Sequence, residues 1–405
     1  MRILNVSFNF PGYAGDSPQI DLVSQALRKR GHDVDIAICD AVPYSFGKEQ
    51  AMAYEPTRQK LLKAADGEPI TIHDIPVYVT HSTIRNLGMY CPNAKKFAKE
   101  LVPNYDVIHI FYWYFHLANV FYQVAKEMNV PYIFSAGGAL LEGAHDLKKG
   151  RKSILDFLYT KKMVPSTAAC CSLGEDESQS YIDWGASKVY RIDNALDLEN
   201  FKIKNQTTIF EKNGIDPKNQ PYLLFLSRVD PKKGPDLLLK AFAKYCEIDK
   251  NHILIIAGDG VESYVNEMKE LANKLGIKER VKFTGFVSVD EKLELLKNAK
   301  LYALTSVSDV HPIASVDALA MGAPMLVTRI IDYPEIEEYN AGKLVDTDVE
   351  EIYLAMKEML SDEEKLKIYS LNAKKLIEEK FLLKNKIQLY EKMYLEVINN
   401  HKLKK

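Results

Sequence analysis

Cysteine is scarce in this 405-residue chain and follows no metal-binding pattern. Cys39, Cys91, Cys170, Cys171 and Cys246 are odd in number and show no CxxC spacing. That excludes a disulfide framework and favours a reducing compartment without structural metal. Cys170 and Cys171 lie side by side in an apolar run and read as small core residues. An excess of either charge is missing too: 53 basic residues stand against 55 acidic ones, for a formal net charge of -2. Nothing therefore pulls the whole molecule toward nucleic acid or anionic lipid, and such binding needs a local patch. No G-x-G-x-x-G follows any apolar run, which removes the fingerprint of a Rossmann dehydrogenase. Solenoid repeats and low-complexity tracts are absent. No signal peptide is expected, because Met1-Arg2 leads straight into the strand-like run Ile3 to Phe8. Val107 to Ala125 carries no charged residue over 19 positions, yet holds His109, His116, Asn119 and Gln123. It reads as a buried strand (Val107–Trp113) entering a helix, not as a membrane span. A cytoplasmic protein is expected.

What is present is an ordinary enzyme composition, 47% hydrophobic and 27% charged, in a chain long enough for two domains. Short apolar runs alternate with longer amphipathic ones, the pattern of parallel sheets with crossover helices. Strands are expected at Ile3–Phe8, Val34–Ile38, Val107–Trp113, Tyr132–Ala136, Ala168–Cys171 and Val189–Ile192. A second series comprises Tyr222–Ser227, Ile253–Gly258, Val281–Gly285, Leu301–Ser306 and Pro324–Thr328. Such near-continuous apolar runs suit strands covered on both faces. Leu198 to Gln220 has the polar, Asn-Gly and Asp-Pro composition of a linker, so the boundary is expected near residue 200. A final helix is expected over Phe381 to Leu403.

Open α/β sheets bind ligands beyond the carboxyl ends of their strands. Three such loops in the second half carry chemistry. In Ser227-Arg228-Val229-Asp230-Pro231-Lys232-Lys233-Gly234, a guanidinium and an ammonium share one tight turn, a combination suited to phosphate oxygens. The bland reading is a solvated basic loop. In Gly258-Asp259-Gly260 the glycines let backbone approach a ligand, although the same tripeptide serves as an ordinary turn. The third runs from Thr305 to Gly322. Pro312 starts a short helix and Gly322 ends it. Free N–H groups near Ile313 to Ser315 would favour a diphosphate. Asp309 before the helix and Asp317 within it could accept from sugar or ribose hydroxyls. Alone, they would read as a loop cap and a solvated helix residue.

The order of these motifs resembles the donor domain of GT-B glycosyltransferases, specifically the retaining family 4. The matches are Ser227-Arg228, Lys233-Gly234, Gly258-Asp259-Gly260, Gly285-Phe286 and Asp309 with Asp317, followed by Ala318-Leu319-Ala320-Met321-Gly322-Ala323-Pro324. Tyr333-Pro334-Glu335-Ile336 is similar to the family's Pro-Glu-Ile step. In the first half, Gly12-Tyr13-Ala14-Gly15 resembles the glycine-rich loop after the first strand, and Arg30-Gly31-His32-Asp33-Val34 resembles Arg-Gly-His-Glu-Val. Asp193-Asn194-Ala195-Leu196-Asp197 is similar to the turn closing the first domain. The resemblance covers nearly the whole chain.

It implies two Rossmann-like domains with parallel sheets facing across a cleft. Residues 1–200 would be the acceptor side, with the terminal helix 382–405 packing back on it, and residues 201–381 the nucleotide-sugar donor domain. Arg228 and Lys233 would hold the departing diphosphate, Asp309 the donor sugar and Asp317 the ribose. Gly12, Gly15, Gly258, Gly260, Phe286, Pro312, Ile313 and Ala314 would line the donor, and His109, Gly137 and Gly138 the acceptor side. The implied reaction is retaining transfer of a hexose-type sugar from a UDP- or GDP-linked donor to a glycan or lipid-linked acceptor, with no metal or other cofactor. Two departures stand out. Both acidic positions are Asp where the family usually has Glu, which shortens each by roughly 1.5 Å. Ala136-Gly137-Gly138 replaces a common His, although Gly138-Ala139-Leu140 resembles a version found in some members. His311 stands where Phe is usual and reads as packing beside the site. Lys148, Lys149, Arg151, Lys152, Lys161 and Lys162 flank apolar Ile154, Leu155, Phe157 and Leu158, a pattern that can dock on anionic membranes or simply cover a soluble surface. The rival functions are a sugar-nucleotide epimerase and a catalytically silent GT-B binding subunit.

Overall fold

The computed structural model describes all residues except 9, 12–16, 41–47, 66, 84–89, 113, 142–158 and 405. The chain forms two compact units. Unit 1 comprises Met1–Tyr44, Ala53–Asn194 and Leu383–Lys405, and unit 2 comprises Ser45–Met52 and Ala195–Leu382.

Unit 1 holds an eight-stranded sheet. Its strands are β1 (Arg2–Val6), β2 (Asp33–Cys39), β3 (Pro69–Ile72), β4 (Ile75–Thr80), β5 (Val107–Phe111), β6 (Tyr132–Ser135), β7 (Ala169–Ser172) and β8 (Val189–Arg191). They lie in the order β3-β4-β2-β1-β5-β6-β7-β8, and every pair except β3–β4 is parallel. Ile3 of β1 faces Val34 and Val107 on its two neighbours, and all three are fully buried. The apolar stretch after Asp106 is β5 followed by the helix His116–Glu127. Among the described residues no helix is long and apolar enough to cross a membrane.

Unit 2 holds six parallel strands: β9 (Tyr222–Leu226), β10 (Ile253–Ala257), β11 (Val281–Gly285), β12 (Leu301–Leu304), β13 (Met325–Thr328) and β14 (Gly342–Val345). Their order is β11-β10-β9-β12-β13-β14. Numbered from the first strand of the sheet this is 3-2-1-4-5-6, the doubly wound arrangement. Beyond β9, the chain moves first toward β11 and then back to β12 on the other side. Loops leaving the carboxyl ends of β9 and β12 therefore diverge around a crevice, and that is where such sheets take their ligands.

The helix Leu383–Lys402 belongs to unit 1. Ile387, Met393, Tyr394, Val397 and Ile398 pack with Ile3, Val23, Leu27 and Val107. Its polar side is anchored as well. Glu391 accepts from Arg30 (2.6 and 2.8 Å) and meets His32 (2.9 Å), and Glu396 accepts from Lys188 and Tyr190 (2.5 and 2.6 Å). Lys386 reaches Asp193.

Two expectations need correction. The segment Leu198 to Gln220 is not a free linker. Asp290 accepts from the Lys204 N–H (2.8 Å) and from Asn205 (2.6 Å), Thr207 donates to Glu294, and Ile209 is fully buried in the core of unit 2. Its polar composition serves these contacts, and the two units divide between Asn194 and Ala195. Three strands, β3, β4 and β14, were not expected. β3 and β4 form an antiparallel hairpin whose turn residues, His73 and Asp74, both have positive φ (49° and 62°). A turn of that kind usually announces itself with Asn-Gly or Asp-Gly, and this one does not. β14 begins at Gly342 and includes Lys343, which hides its apolar character.

Candidate active site

The loops at the switch point of unit 2 are tied to each other by backbone. Val307 N–H donates to the Lys232 carbonyl (2.8 Å), and the Thr305 hydroxyl donates to the Gly234 carbonyl (2.7 Å). Gly234 has φ 61°, and a Cβ there would lie 2.0 Å from the Thr305 carbonyl oxygen, so only glycine permits this approach. Asp230 caps the 3-10 turn Pro231–Lys233 by accepting from the Lys232 N–H (2.9 Å). Pro235 then starts the helix Pro235–Ile248.

This frame brings Lys233 onto Asp309. The ammonium donates to Asp309 Oδ2, which also accepts from the Ser306 hydroxyl (3.2 Å), while Oδ1 accepts from Val310 N–H (3.1 Å). Both side chains are only 14% exposed, so each supplies the counter-charge that burial demands of the other. Arg228 stands on the same loop, one third exposed, with its guanidinium 4.0 Å from Asp230. Lys232, between them, is partly buried. Burial pulls its pKa below the ordinary lysine value, against the opposing pull of Asp230, and Arg228 acts in the same direction as burial. Arg228, Lys232 and Lys233 therefore crowd the end of β9, faced by the carboxylates of Asp230 and Asp309. Such a cluster is well matched to an anion.

The helix Ile313–Met321 begins beside Asp309, with Pro312 as its cap residue and Gly322 (φ 75°) closing it. Its first N–H groups, from Ile313 and Ala314, have no partner within the helix by construction and point toward its start. His311 does not face solvent: its ring is buried and packs at 3.9 Å on Tyr333, while its N–H donates to the Ile331 carbonyl (3.0 Å). Asp317 is 6% exposed, and its Oδ2 lies 2.6 Å from the Lys292 ammonium.

Gly258 and Gly260 have a clear packing role. Cβ atoms there would lie 1.9 and 2.2 Å from the carbonyl oxygens of Ser227 and Val229. They let the loop after β10 press against the loop carrying Arg228. Phe286 follows β11, and its N–H donates to the Glu49 carboxylate (2.7 Å), while the Glu49 N–H donates to Asp259 (2.8 Å).

In unit 1 the expected acceptor-side residues separate. Gly137 and Gly138 form a left-handed turn after β6 (φ 58° and 76°). Gly138 N–H donates to the fully buried Glu177 carboxylate (2.6 Å), which also accepts from Leu173 N–H (2.8 Å). Tyr181 OH accepts from Ala136 N–H and donates to Glu177. His109, by contrast, lies inside the core with no exposure. The Ser135 hydroxyl donates to the Cys171 carbonyl (3.2 Å) and so accepts from His109 Nε2 (2.8 Å); Nδ1 then accepts from Tyr394 OH (2.8 Å). This bonding assigns a neutral imidazole, and burial lowers its pKa to about 3. His109 is a core group that cannot touch an acceptor. Gly12 and Gly15 lie outside the described residues, as does the basic stretch up to residue 158. Lys292, Glu177 and Glu49 had no signal in the sequence, because each meets its partner only through tertiary packing.

Comparison with known proteins decides what this geometry belongs to. The model for glycosyl transferases group 1 matches residues 205–376, and the model for glycosyltransferase family 4 matches residues 19–200. The chain belongs to the family 4-like GT-B glycosyltransferases. This glycosyltransferase is 25% identical over 400 residues to an uncharacterized glycosyltransferase of Methanocaldococcus jannaschii, covering 94% of each chain. It is 24% identical over 329 residues to the alpha-monoglucosyldiacylglycerol synthase of Streptococcus pneumoniae, covering 78% of this chain and 68% of that one. Its fold is shared with Anabaena HepE, solved in complex with UDP and glucose, at a TM-score of 0.74 and 19% identity over 98% of this chain and all of that one.

Proposed function

We propose that this glycosyltransferase moves a hexose-type sugar from a UDP- or GDP-linked donor onto a glycan or lipid-linked acceptor in the cytoplasm, with retention at the anomeric carbon and without metal. The observation that carries the proposal is the Lys233–Asp309 pair beside Arg228 at the switch point of the second sheet. The UDP and glucose in the HepE complex and the lipid glycosylation named for the pneumococcal relative support the donor and acceptor classes.

In this reading Arg228, Lys233 and the N–H groups of Ile313 and Ala314 hold the donor diphosphate. As the bond from the anomeric carbon to the phosphate oxygen breaks, negative charge grows on that oxygen. Fixed cations stabilise it more in the transition state than in the ground state. The acceptor hydroxyl attacks from the same face, its oxygen bonds to the anomeric carbon, and its proton passes to the leaving phosphate. Asp309 keeps the Lys233 ammonium in place until the diphosphate arrives and contacts the sugar; Asp317 takes the ribose. Gly258, Gly260 and Phe286 shape the loops around the nucleotide.

Thermal shift with a panel of UDP- and GDP-sugars in the presence of EDTA tests this. A productive donor should raise the melting temperature through mass action, and Arg228→Ala should shrink that rise. Lys233→Ala should lower turnover with the same donor by roughly 10² to 10³. No shift with any nucleotide sugar would favour a silent subunit, and activity abolished by EDTA would remove the metal-free mechanism.

A further inference from the structure

We propose that unit 1 takes its acceptor as a sugar ring, laid against an aromatic shelf of Phe8, Tyr112 and Phe115 and held at its edge by a hydrogen bond from His116. The inference rests on the proposed sugar transfer and deepens it by naming what the acceptor presents to the protein.

The first sheet has its own switch point. From β1 the chain passes to β2 on one side and returns as β5 on the other, so the loops leaving β1 and β5 diverge around a crevice. Phe111 to His116 is an unbroken run of ring-bearing side chains, and it leaves β5 at that place. Trp113 of this run lies outside the described residues. Phe8 stands just beyond β1, where the register that pairs Val6 with Ile110 continues toward Tyr112. Its ring stacks on Phe115, with 3.9 Å between centroids, and meets Tyr112 edge-on at 5.5 Å. Phe8 and Phe115 pack on the core of unit 1, yet all three rings remain partly exposed. Tyr112 has φ 55°, a conformation that a bulky residue rarely adopts, and its N–H donates to the Ser135 carbonyl (2.9 Å). The fold therefore holds strained backbone that carries a ring, a combination that gathers at binding sites.

His116 adds direction. Its Nδ1 accepts from the Cys91 N–H (3.3 Å), so the neutral ring carries its proton on Nε2. Burial lowers its pKa, which favours that neutral form. Among the described residues the Nε2–H meets no acceptor. A half-buried donor beside a shelf of rings is complementary to a pyranose. The C–H hydrogens of one sugar face meet the electron-rich faces of the rings, and a hydroxyl at the edge accepts from Nε2–H. An acyl chain would make no use of a directed donor. A charged headgroup would gain no counter-charge from this segment, because Val107 to Ala125 contains no charged side chain.

Saturation-transfer NMR of the full chain tests the inference. The probes are the methyl pyranosides of glucose, galactose, mannose and N-acetylglucosamine, each with and without UDP or GDP, and octanol as an acyl-chain probe. At least one glycoside should bind, with transfer concentrated on the C–H hydrogens of one ring face. Tyr112→Gly and Phe8→Leu should each weaken that binding by roughly tenfold. Glycine adopts φ 55° without strain, so Tyr112→Gly should keep its melting temperature while losing the sugar. Phe8→Leu retains apolar packing and serves if the other variant fails to fold. No glycoside binding in either condition, or unaltered affinity in both variants, overturns the inference. So does a variant-sensitive response to octanol without one to any glycoside. Nucleotide binding in the same samples separates the two readings. UDP or GDP bound without any glycoside removes the shelf alone, whereas a glycoside bound without either nucleotide keeps the shelf and removes the donor reading.

Discussion

His109 shows how a residue that resembles a catalytic group becomes a titratable brace. It sits in β5 between the Tyr394 hydroxyl of the terminal helix and the Ser135 hydroxyl of β6, with no route to solvent. Burial holds its folded-state pKa at about 3, against 6.5 when exposed, so between these values the unfolded chain binds the extra proton. The contribution of His109 to stability is therefore complete above about pH 6.5 and is lost progressively as pH falls toward 3. At pH 5 the loss amounts to about 2 kcal/mol. His109→Gln, which keeps hydrogen-bonding capacity without titrating there, should flatten the slope of unfolding free energy between pH 6.5 and 5 seen by urea denaturation. An unchanged slope would mean that the ring protonates in place. Arg228 and Lys233 could be picked out as candidates in the sequence because chemistry and loop position coincide in one short segment. His109 was misleading because a histidine in an apolar strand looks the same whether it faces a ligand or a core. Lys292 was silent, since its partner lies on a different element.

Elements, rather than side chains, set where the cations sit, and glycines set how closely the elements approach. Gly258 has φ 139°, and its missing Cβ faces the Ser227 carbonyl at 1.9 Å. Gly31 also has positive φ, 85°, but nothing lies within 4 Å of where its Cβ would be. The two substitutions to alanine therefore separate backbone strain from collision. Gly31→Ala should cost roughly 1 kcal/mol, and Gly258→Ala roughly 2 to 4 kcal/mol, because the loop bearing Arg228 must move. Nucleotide binding should fall only in the second. Equal melting temperatures for the two variants would show that the loop after β9 yields without resistance. The strands that bury both faces were legible because apolar side chains dominate them, the buried polar exceptions such as Asn5, His109 and Ser135 each having a hydrogen-bond partner. The hairpin of β3 and β4 was not, because its strands contain Pro69 and Pro76 and its turn lacks glycine.

At the scale of the whole molecule the formal charge of -2 offers no general attraction to an anionic bilayer, and any docking must come from a local basic stretch. Residues 148–162 carry Lys148, Lys149, Arg151, Lys152, Lys161 and Lys162. If the acceptor is lipid-linked, flotation with liposomes rich in acidic lipid should recover the protein, and recovery should drop at high salt. Equal recovery with neutral and acidic liposomes would end that idea. The two-part organisation was readable from the two series of apolar runs, whereas the polar segment after residue 197, which reads as a linker, is fastened down onto unit 2. That fastening reveals something about how the chain is threaded. The Leu196 N–H donates to the Phe381 carbonyl (3.0 Å), and Leu196 bridges to Leu382, so the place where the backbone enters the second unit adjoins the place where it leaves. Residues 195–382, the longer of the two segments of unit 2, thus have neighbouring ends and are flanked on both sides by residues of unit 1. A segment wired in this way can be exchanged for a homologous one through two adjacent joints, and under the donor role proposed for unit 2 such an exchange should alter donor choice.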